Sequence, residues 1–274
     1  MTTISETKRY LLQWSVVVTT LSLLSPAAIG QKLPDLAGKK IIAATENSFP
    51  PLDSLDPKTG KGVGWEYDAF NEIARRLNLK VEWRISSWDA MIQSVRDGQF
   101  DVAMNGITIT DQRKAQIDFS IPYMNSKMYM LVRANETRFA DAASFHGNPK
   151  LVAGAQPGTT SFYATAKILL GTQDPSPRMK LFDTFGATAQ ALRAGDVDVV
   201  LSDASAAISY IGQYPNTFKV VGTPFEGESY GFIFKKGSPL VPAVNAAIEA
   251  MQKDGTIQKL NAKWLPVIPT SNSK

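Results

Sequence analysis

The segment 100–113 reads FDVAMNGITITDQR and contains the residue types that bind a small anion. A short apolar run ends at Gly106, and glycine allows backbone conformations that are closed to other residues. Thr108 and Thr110 follow, and Thr110 is placed to cap a helix whose first turn carries Arg113. Free N–H groups at such a turn favour an anion, and the guanidinium offers a planar, bidentate pair of donors. The segment predicts a carboxylate site, although strand–turn–helix units occur in any α/β protein.

The apolar spacing around this segment predicts alternating strands and helices. Strands are predicted at 41–45, 80–85 and 100–104, and helices at 67–77 and 90–95. This order favours a mostly parallel sheet that is covered by helices, because crossover helices join parallel strands.

The same order recurs further along the chain. Strands are predicted at 151–155, 180–182 and 197–201, and helices at 161–170 and 187–194. The letters repeat as well, since RDGQFDV at 96–102 is echoed by RAGDVDV at 193–199. In each copy a glycine, Gly98 or Gly195, is placed to end a helix just before a buried strand. The repeat predicts two lobes of one architecture.

Two apolar segments, 127–133 and 230–234, are predicted to cross between these lobes. Amphipathic helices predicted at 239–252 and 256–265 would then complete the first lobe. We expect the following division: lobe one at 38–127 plus 231–266, lobe two at 131–228, and hinge segments near 127–133 and 226–234. Ligands of open α/β sheets bind where the strands end, so a ligand cleft is predicted between the lobes.

Polar and aromatic side chains follow the predicted strands and are the candidates to line this cleft. They are Glu46, Phe49, Trp88, Asn105, Gly106, Thr108, Arg113, Gln156, Thr160, Ser161 and Asp203. Some of them have a structural alternative. Asp203 is placed to cap a helix at 204–211, Phe49 has the character of a core aromatic, and Trp88 that of an ordinary aromatic at a helix start.

Residues 1–30 have the features of a secretory signal peptide. Lys8 and Arg9 precede an apolar stretch at 10–24, and small residues then lead to a cleavage site near Gly30. The stretch is too short and too polar to remain as a membrane span. We therefore expect an exported, periplasmic protein.

The composition excludes several classes of function. The chain has no cysteine, which removes a disulfide scaffold, a thiol nucleophile, a zinc-thiolate site and a lipid-modified cysteine. The formal net charge is +4 and the basic pairs are scattered, so no nucleic-acid partner is expected. The GTT turn at 158–160 lacks the lysine of a phosphate-binding loop. No catalytic residue, metal or other cofactor is predicted.

Six motifs resemble the polar amino-acid-binding branch of the periplasmic solute-binding proteins that serve ABC importers. They are TENSFPP at 45–51, GWEYD at 64–68, NGITITDQR at 105–113, DFSIPY at 118–123, LSD at 201–203 and DGTIQKLNAKW at 254–264. The match covers nearly all of the chain after residue 30. It implies an α/β, two-lobed, type II periplasmic-binding-protein fold, in which each lobe is a mostly parallel sheet flanked by helices and two hinge strands join the lobes.

The resemblance also implies a role for each matching residue. Arg113 would bind the α-carboxylate of a free amino acid, helped by the backbone N–H of Thr108 and by Thr160. Asp203 would bind the α-ammonium, with the carbonyl of Gly106 as a second acceptor. Such a pairing is what a buried zwitterion requires.

The side chain of the ligand would lie between Phe49 and Trp88, with Glu46 facing its far end. Aromatic faces and a carboxylate favour a cationic amino acid such as arginine or lysine. Glutamine is the second choice, with Gln156 as its hydrogen-bonding partner. Acidic ligands are disfavoured because no second arginine is present to receive them, and Glu46 has the alternative of bonding within lobe one.

An enzyme of the cyclohexadienyl or arogenate dehydratase type is the alternative on the same fold. Those enzymes resemble this chain in the motif at 119–123, and they place a glutamate as proton donor after the Gly-Thr turn of lobe two. Ser161 stands at that position here, and a serine hydroxyl is a poor general acid near neutral pH. A binding protein is therefore preferred, with the membrane permease of an ABC importer as its partner and a monomer as its expected state.

Overall fold

The computed structural model describes residues 32–172 and 176–265. The predicted signal peptide at residues 1–30 lies outside the described residues. The strands are β1 (Lys39–Thr45), β2 (Ser48–Phe49), β3 (Asp53–Leu55), β4 (Gly62–Val63), β5 (Leu79–Ile85), β6 (Val102–Ala103), β7 (Asp118–Phe119), β8 (Met124–Arg133), β9 (Ala153–Ala155), β10 (Met179–Leu181), β11 (Val199–Asp203), β12 (Phe218–Tyr230) and β13 (Ile233–Phe234).

The helices follow the same chain order. They are α1 (Trp65–Leu77), α2 (Trp88–Asp97), α3 (Asp111–Lys114), α4 (Ala142–His146), α5 (Thr160–Ala164), which continues as a π-helical turn at Thr165–Leu169, α6 (Phe185–Ala194), α7 (Ala204–Gln213), α8 (Leu240–Lys253) and α9 (Thr256–Trp264). None of the described helices is long and apolar enough to cross a membrane.

The first sheet has the strand order β5-β1-β6-β13-β7. β5, β1 and β6 are parallel, whereas β13 pairs antiparallel with β6 and β7. Helix α1 buries Phe70, Ile73 and Leu77 against this sheet and against α8, as its 3.6-residue spacing predicts. We call this sheet and its helices lobe one. Because β13 returns to it late in the chain, the last two helices pack on the same core.

The second sheet has the strand order β10-β9-β11-β8-β12. β10, β9 and β11 are parallel, and β8 and β12 form an antiparallel pair at one side. Helices α6 and α7 cover one face through apolar residues such as Leu192 and Ala206. We call this sheet and its helices lobe two. Gly98 and Gly195 end α2 and α6 at φ values of 79° and 91°, so the predicted pair of glycine caps is confirmed.

Several elements differ from the sequence prediction. The strand predicted at 100–104 is reduced to Val102–Ala103, and the helix predicted at 161–170 changes to π geometry at Thr165. The small sheet β2-β3-β4 and the long strand β12 were not predicted. β12 reads FKVVGTPFEGESY, and its register shifts twice against β8, so its polar and glycine residues hide the strand pattern.

Candidate functional site

A cavity of about 480 Å³, including space that is open to solvent, lies where strands of both sheets end. Ten of the eleven predicted site residues line it, and Glu46 is the exception. The lining residues are Phe49, Trp88, Asn105, Gly106, Thr108, Arg113, Met128, Gln156, Thr159, Thr160, Ser161, Phe185, Ser202, Asp203, Glu228 and Tyr230. The rule that ligand residues follow strand ends therefore identified side chains that the fold brings together from positions as far apart as Phe49 and Asp203.

Arg113 is a buried cation, and no anion among residues 32–172 and 176–265 is bonded to it. Thr110 caps α3 by accepting the N–H of Arg113 at 3.2 Å, as predicted. The guanidinium donates to the carbonyls of Thr108 at 3.0 Å and Gly158 at 3.2 Å, and it lies 5.1 Å from the ring centre of Trp88. Burial lowers the pKa of Arg113, and among the described residues the charge of Glu228 opposes that shift from a distance. The guanidinium keeps the capacity to bind a carboxylate.

Asp203 holds the matching negative charge. It is the last residue of β11 and caps α7, with Oδ1 accepting the N–H groups of Ser205 at 2.8 Å and Ala206 at 3.1 Å. The other oxygen, Oδ2, is buried and has no hydrogen-bond partner in the described part of the chain. Burial raises the pKa of Asp203. Capping therefore uses only one oxygen of this carboxylate.

The turn at Asn105–Gly106 is hydrogen-bonded to a second buried carboxylate, that of Glu66 in lobe one. Glu66 Oε1 accepts the N–H of Gly106 at 3.0 Å and the hydroxyl of Tyr123. Gly106 has a φ of 58°, and a Cβ there would lie 2.7 Å from Phe49, so the position requires glycine. Burial raises the pKa of Glu66 to about 7, and burial together with the charge of Glu66 raises that of Asp53.

Thr108 and Thr160 connect the two lobes beside Arg113. Their hydroxyl oxygens lie 3.3 Å apart, and the Thr108 hydroxyl also donates to Glu228 Oε2 at 3.0 Å. Thr160 is the first residue of α5, whose N-terminal N–H groups are capped only in part by the Thr159 hydroxyl. We call Thr108, Arg113, Asp203 and Glu228 the charged side of the cavity.

The remaining wall is mainly aromatic. Phe49 from lobe one meets Phe185 from lobe two edge to face, with ring centres 5.0 Å apart. Gln156 follows β9 and donates to Glu46 Oε1 at 3.0 Å. We call Phe49, Trp88, Gln156 and Phe185 the aromatic side. Glu46 lies behind this wall, 8% exposed, and accepts hydrogen bonds from both lobes.

Several lining residues were not predicted from the sequence. Phe185 follows the strand predicted at 180–182 and is the first residue of α6, so the strand-end rule applied more widely would have found it. Glu228 and Tyr230 lie in β12 and within the predicted hinge segment near 226–234, but no local signal marks them as residues that line the cavity. Within residues 32–172 and 176–265, no cluster of three His, Cys, Asp or Glu side chains is able to hold a metal ion.

Comparison with known proteins defines the class. The model of the family described as bacterial extracellular solute-binding proteins, family 3, matches residues 41–267. The L-cystine-binding protein TcyJ of Escherichia coli (strain K12) is 31% identical over 226 residues, which is 82% of this chain and 82% of TcyJ. The chain belongs to family 3 of the bacterial extracellular solute-binding proteins.

Solved structures show the same architecture. An ancestral arginine-binding protein bound to arginine matches with a TM-score of 0.75 and 35% identity, over 83% of this chain and 98% of that chain. The ancestral amino acid-binding protein AncCDT-1, a precursor of cyclohexadienyl dehydratase, matches with a TM-score of 0.74 and 30% identity, over 83% and 96%. The predicted two-lobed, type II periplasmic-binding-protein fold is confirmed.

Proposed function

We propose that the protein captures a free cationic amino acid between its two lobes and delivers it to an ABC importer. The observation that carries this proposal is the pair of incompletely satisfied charges in one cavity. Arg113 bonds only to carbonyl oxygens among the described residues, and Oδ2 of Asp203 is buried without a partner. Buried charges require opposite charges, and the carboxylate and ammonium of an amino acid supply both.

The charges that line the cavity favour a ligand with an additional positive charge. Arg113 lines the cavity together with two carboxylates, those of Asp203 and Glu228. A zwitterion offers one charge of each sign, so it leaves one carboxylate uncompensated. A ligand with a net charge of +1 balances the set, and the rings of Phe49 and Trp88 suit a cationic side chain. The names of TcyJ and of the arginine-bound ancestral protein are in keeping with an amino-acid ligand.

Closure of the two lobes is the second part of the proposal. We take lobe one as 38–127 plus 231–266 and lobe two as 131–228, with hinges near 127–133 and 226–234. The ligand would bridge Arg113 of lobe one and Asp203 of lobe two, which shifts the population towards a closed form. That form would be recognised in the periplasm by the permease of the importer, with the binding protein acting as a monomer.

The dehydratase alternative is not favoured by the geometry around Ser161. Its hydroxyl lies 3.0 Å from the hydroxyl of Thr159, a neutral neighbour that does not make it an acid. An assay for turnover of prephenate or arogenate tests this alternative. Saturable product formation by the purified protein would show that it is an enzyme, which would contradict the proposal of a binding protein.

A thermal-shift screen against the free amino acids, common opines and polyamines tests the proposed function. A ligand at a hundred times its Kd stabilises the folded state by about 2.7 kcal/mol, which raises the melting temperature. We expect the largest shifts from arginine, lysine and ornithine, smaller shifts from glutamine, and none from glutamate or from the polyamines, which lack a carboxylate. A screen in which no zwitterion raises the melting temperature contradicts the proposal.

A further inference from the structure

We propose that Gln156 selects ligands whose side chain ends in an N–H donor, because Glu46 fixes the orientation of the Gln156 amide. The inference rests on the proposed function and extends it to the recognition of the ligand side chain. It gives Glu46 an indirect role, in place of the direct contact with the ligand that its position after the first strand suggests.

Both N–H bonds of the Gln156 amide are used within the protein. Nε2 donates to Oε1 of Glu46 at 3.0 Å and to the carbonyl of Asp183 at 2.8 Å. An amide nitrogen has two hydrogens, so no donor remains for a ligand. The Gln156 residue is 5% exposed and lines the cavity, and its Oε1 accepts no hydrogen bond from a described residue. The amide therefore offers the cavity an acceptor only.

The opposite orientation of this amide is excluded by its neighbours. A rotated amide would place Oε1 against the Glu46 carboxylate and the Asp183 carbonyl, where three acceptors would meet without a donor. Glu46 itself is held in place by the hydroxyl of Ser48 at 2.7 Å and the backbone N–H of Trp88 at 3.3 Å. Its negative charge therefore sets the polarity that Gln156 presents to the ligand.

This polarity divides the amino acids by the end of their side chain. A guanidinium, ammonium, ureido or amide group donates to Oε1 of Gln156. A terminal carboxylate has no hydrogen to donate and would face an oxygen with the charge of Glu46 behind it. Arginine and its neutral analogue citrulline should both bind, arginine more tightly, and glutamate should be rejected.

Calorimetric titrations with arginine, citrulline, glutamine and glutamate test the inference. In Glu46→Gln the residue at 46 becomes an amide that is able to donate to a rotated Gln156, so only the Asp183 carbonyl still holds the wild-type orientation and the preference for arginine over glutamate should fall at least about tenfold. The matched control is Glu82→Gln, which removes the same charge from an exposed side chain of β5. It should leave the preference within about threefold of the wild type.

Gln156→Met separates a direct effect of the Glu46 charge from an effect through the amide. This variant keeps the charge and the approximate volume but removes the acceptor. We expect arginine and citrulline each to bind at least about tenfold more weakly than to the wild type. The preference of the protein for these ligands over glutamate should fall accordingly. A wild-type preference in Gln156→Met, or in a folded Glu46→Gln, overturns the inference. A wild type that binds no amino acid would instead contradict the proposed function.

Discussion

The charged side and the aromatic side of the cavity differ in how completely the protein satisfies its own polar groups. On the charged side, Arg113 bonds to two carbonyls, and Asp203 retains a buried oxygen that has no partner among the described residues. On the aromatic side, the donors of Gln156 and the carboxylate of Glu46 are bonded to each other and to the protein. Only the charged side leaves strong electrostatic interactions for a ligand to complete.

This difference indicates a division between affinity and selectivity. Every free amino acid has an α-carboxylate and an α-ammonium, so in the proposed function the charged side provides binding energy that is common to all of them. In the further proposal, the aromatic side provides shape and one oriented acceptor, which distinguish between side chains. Substitutions on the charged side should therefore weaken all ligands together, and substitutions on the aromatic side should change their ranking.

The largest effect is expected for Arg113→Ala. Loss of the guanidinium leaves the ligand carboxylate buried without its cation, which should cost roughly 2–5 kcal/mol of binding free energy for every amino acid that binds. Calorimetric titration measures this cost, and Arg84→Ala at an exposed position of β5 is the control. Binding by Arg113→Ala within a few-fold of the wild type would show that the carboxylate is held elsewhere.

Glu66 should make the stability of the protein depend on pH. Burial raises its pKa from 4.5 to about 7, so the folded state binds more protons than the unfolded state between these values. The free energy of unfolding should therefore fall as pH rises through this window, by about 3 kcal/mol, and level off near pH 8. Urea denaturation of the wild type and Glu66→Gln at pH 5 and pH 8 measures the effect. An equal slope in both proteins would assign the titration to another group.

Asp203→Asn should weaken binding while retaining the cap of α7. Asparagine caps helices about as well as aspartate, so the melting temperature without ligand should change little. The charge that meets the ligand ammonium is lost, and we expect about 2 kcal/mol of binding free energy to be lost with it. Parallel melting and titration experiments separate the two roles. A large fall in stability with unchanged affinity would mean that Asp203 serves only as a cap.

Glu228→Gln should give the smallest effect and should act mainly on cationic ligands. Glu228 is partly exposed, so its contribution is screened by solvent, and about 0.5–1 kcal/mol of the preference for arginine over citrulline should disappear. Competition titrations at low and high salt measure this preference. An unchanged preference would remove Glu228 from the charge balance of the site.

The sequence predicts much of the fold because its signals are local. The apolar spacing of α1, the glycine caps at Gly98 and Gly195 and the polar residues after strands each depend on a few neighbouring positions. The residues that were missed depend on pairing across the fold. Glu228 reaches the cavity only because β12 pairs with β8, and nothing in the letters around it shows this.

The position of Glu46 gives the same lesson from within the site. Its place after β1 suggested a side chain directed at the ligand, whereas its oxygens accept hydrogen bonds from Ser48, Trp88 and Gln156. Gln156 belongs to the other lobe and lies 110 positions away in the sequence. The orientation of the Gln156 amide therefore depends on a contact that cannot be predicted from the spacing of residues in the sequence.

Titration of the wild-type protein with arginine, agmatine and N-acetylarginine tests the central claim most directly. Agmatine lacks the α-carboxylate that Arg113 is proposed to bind, and N-acetylarginine lacks the α-ammonium proposed for Asp203, while both keep the guanidinium. We expect arginine to bind and each derivative to bind at least about thirtyfold more weakly, the equivalent of roughly 2 kcal/mol. Agmatine or N-acetylarginine binding as tightly as arginine would contradict the claim that the cavity recognises a zwitterion.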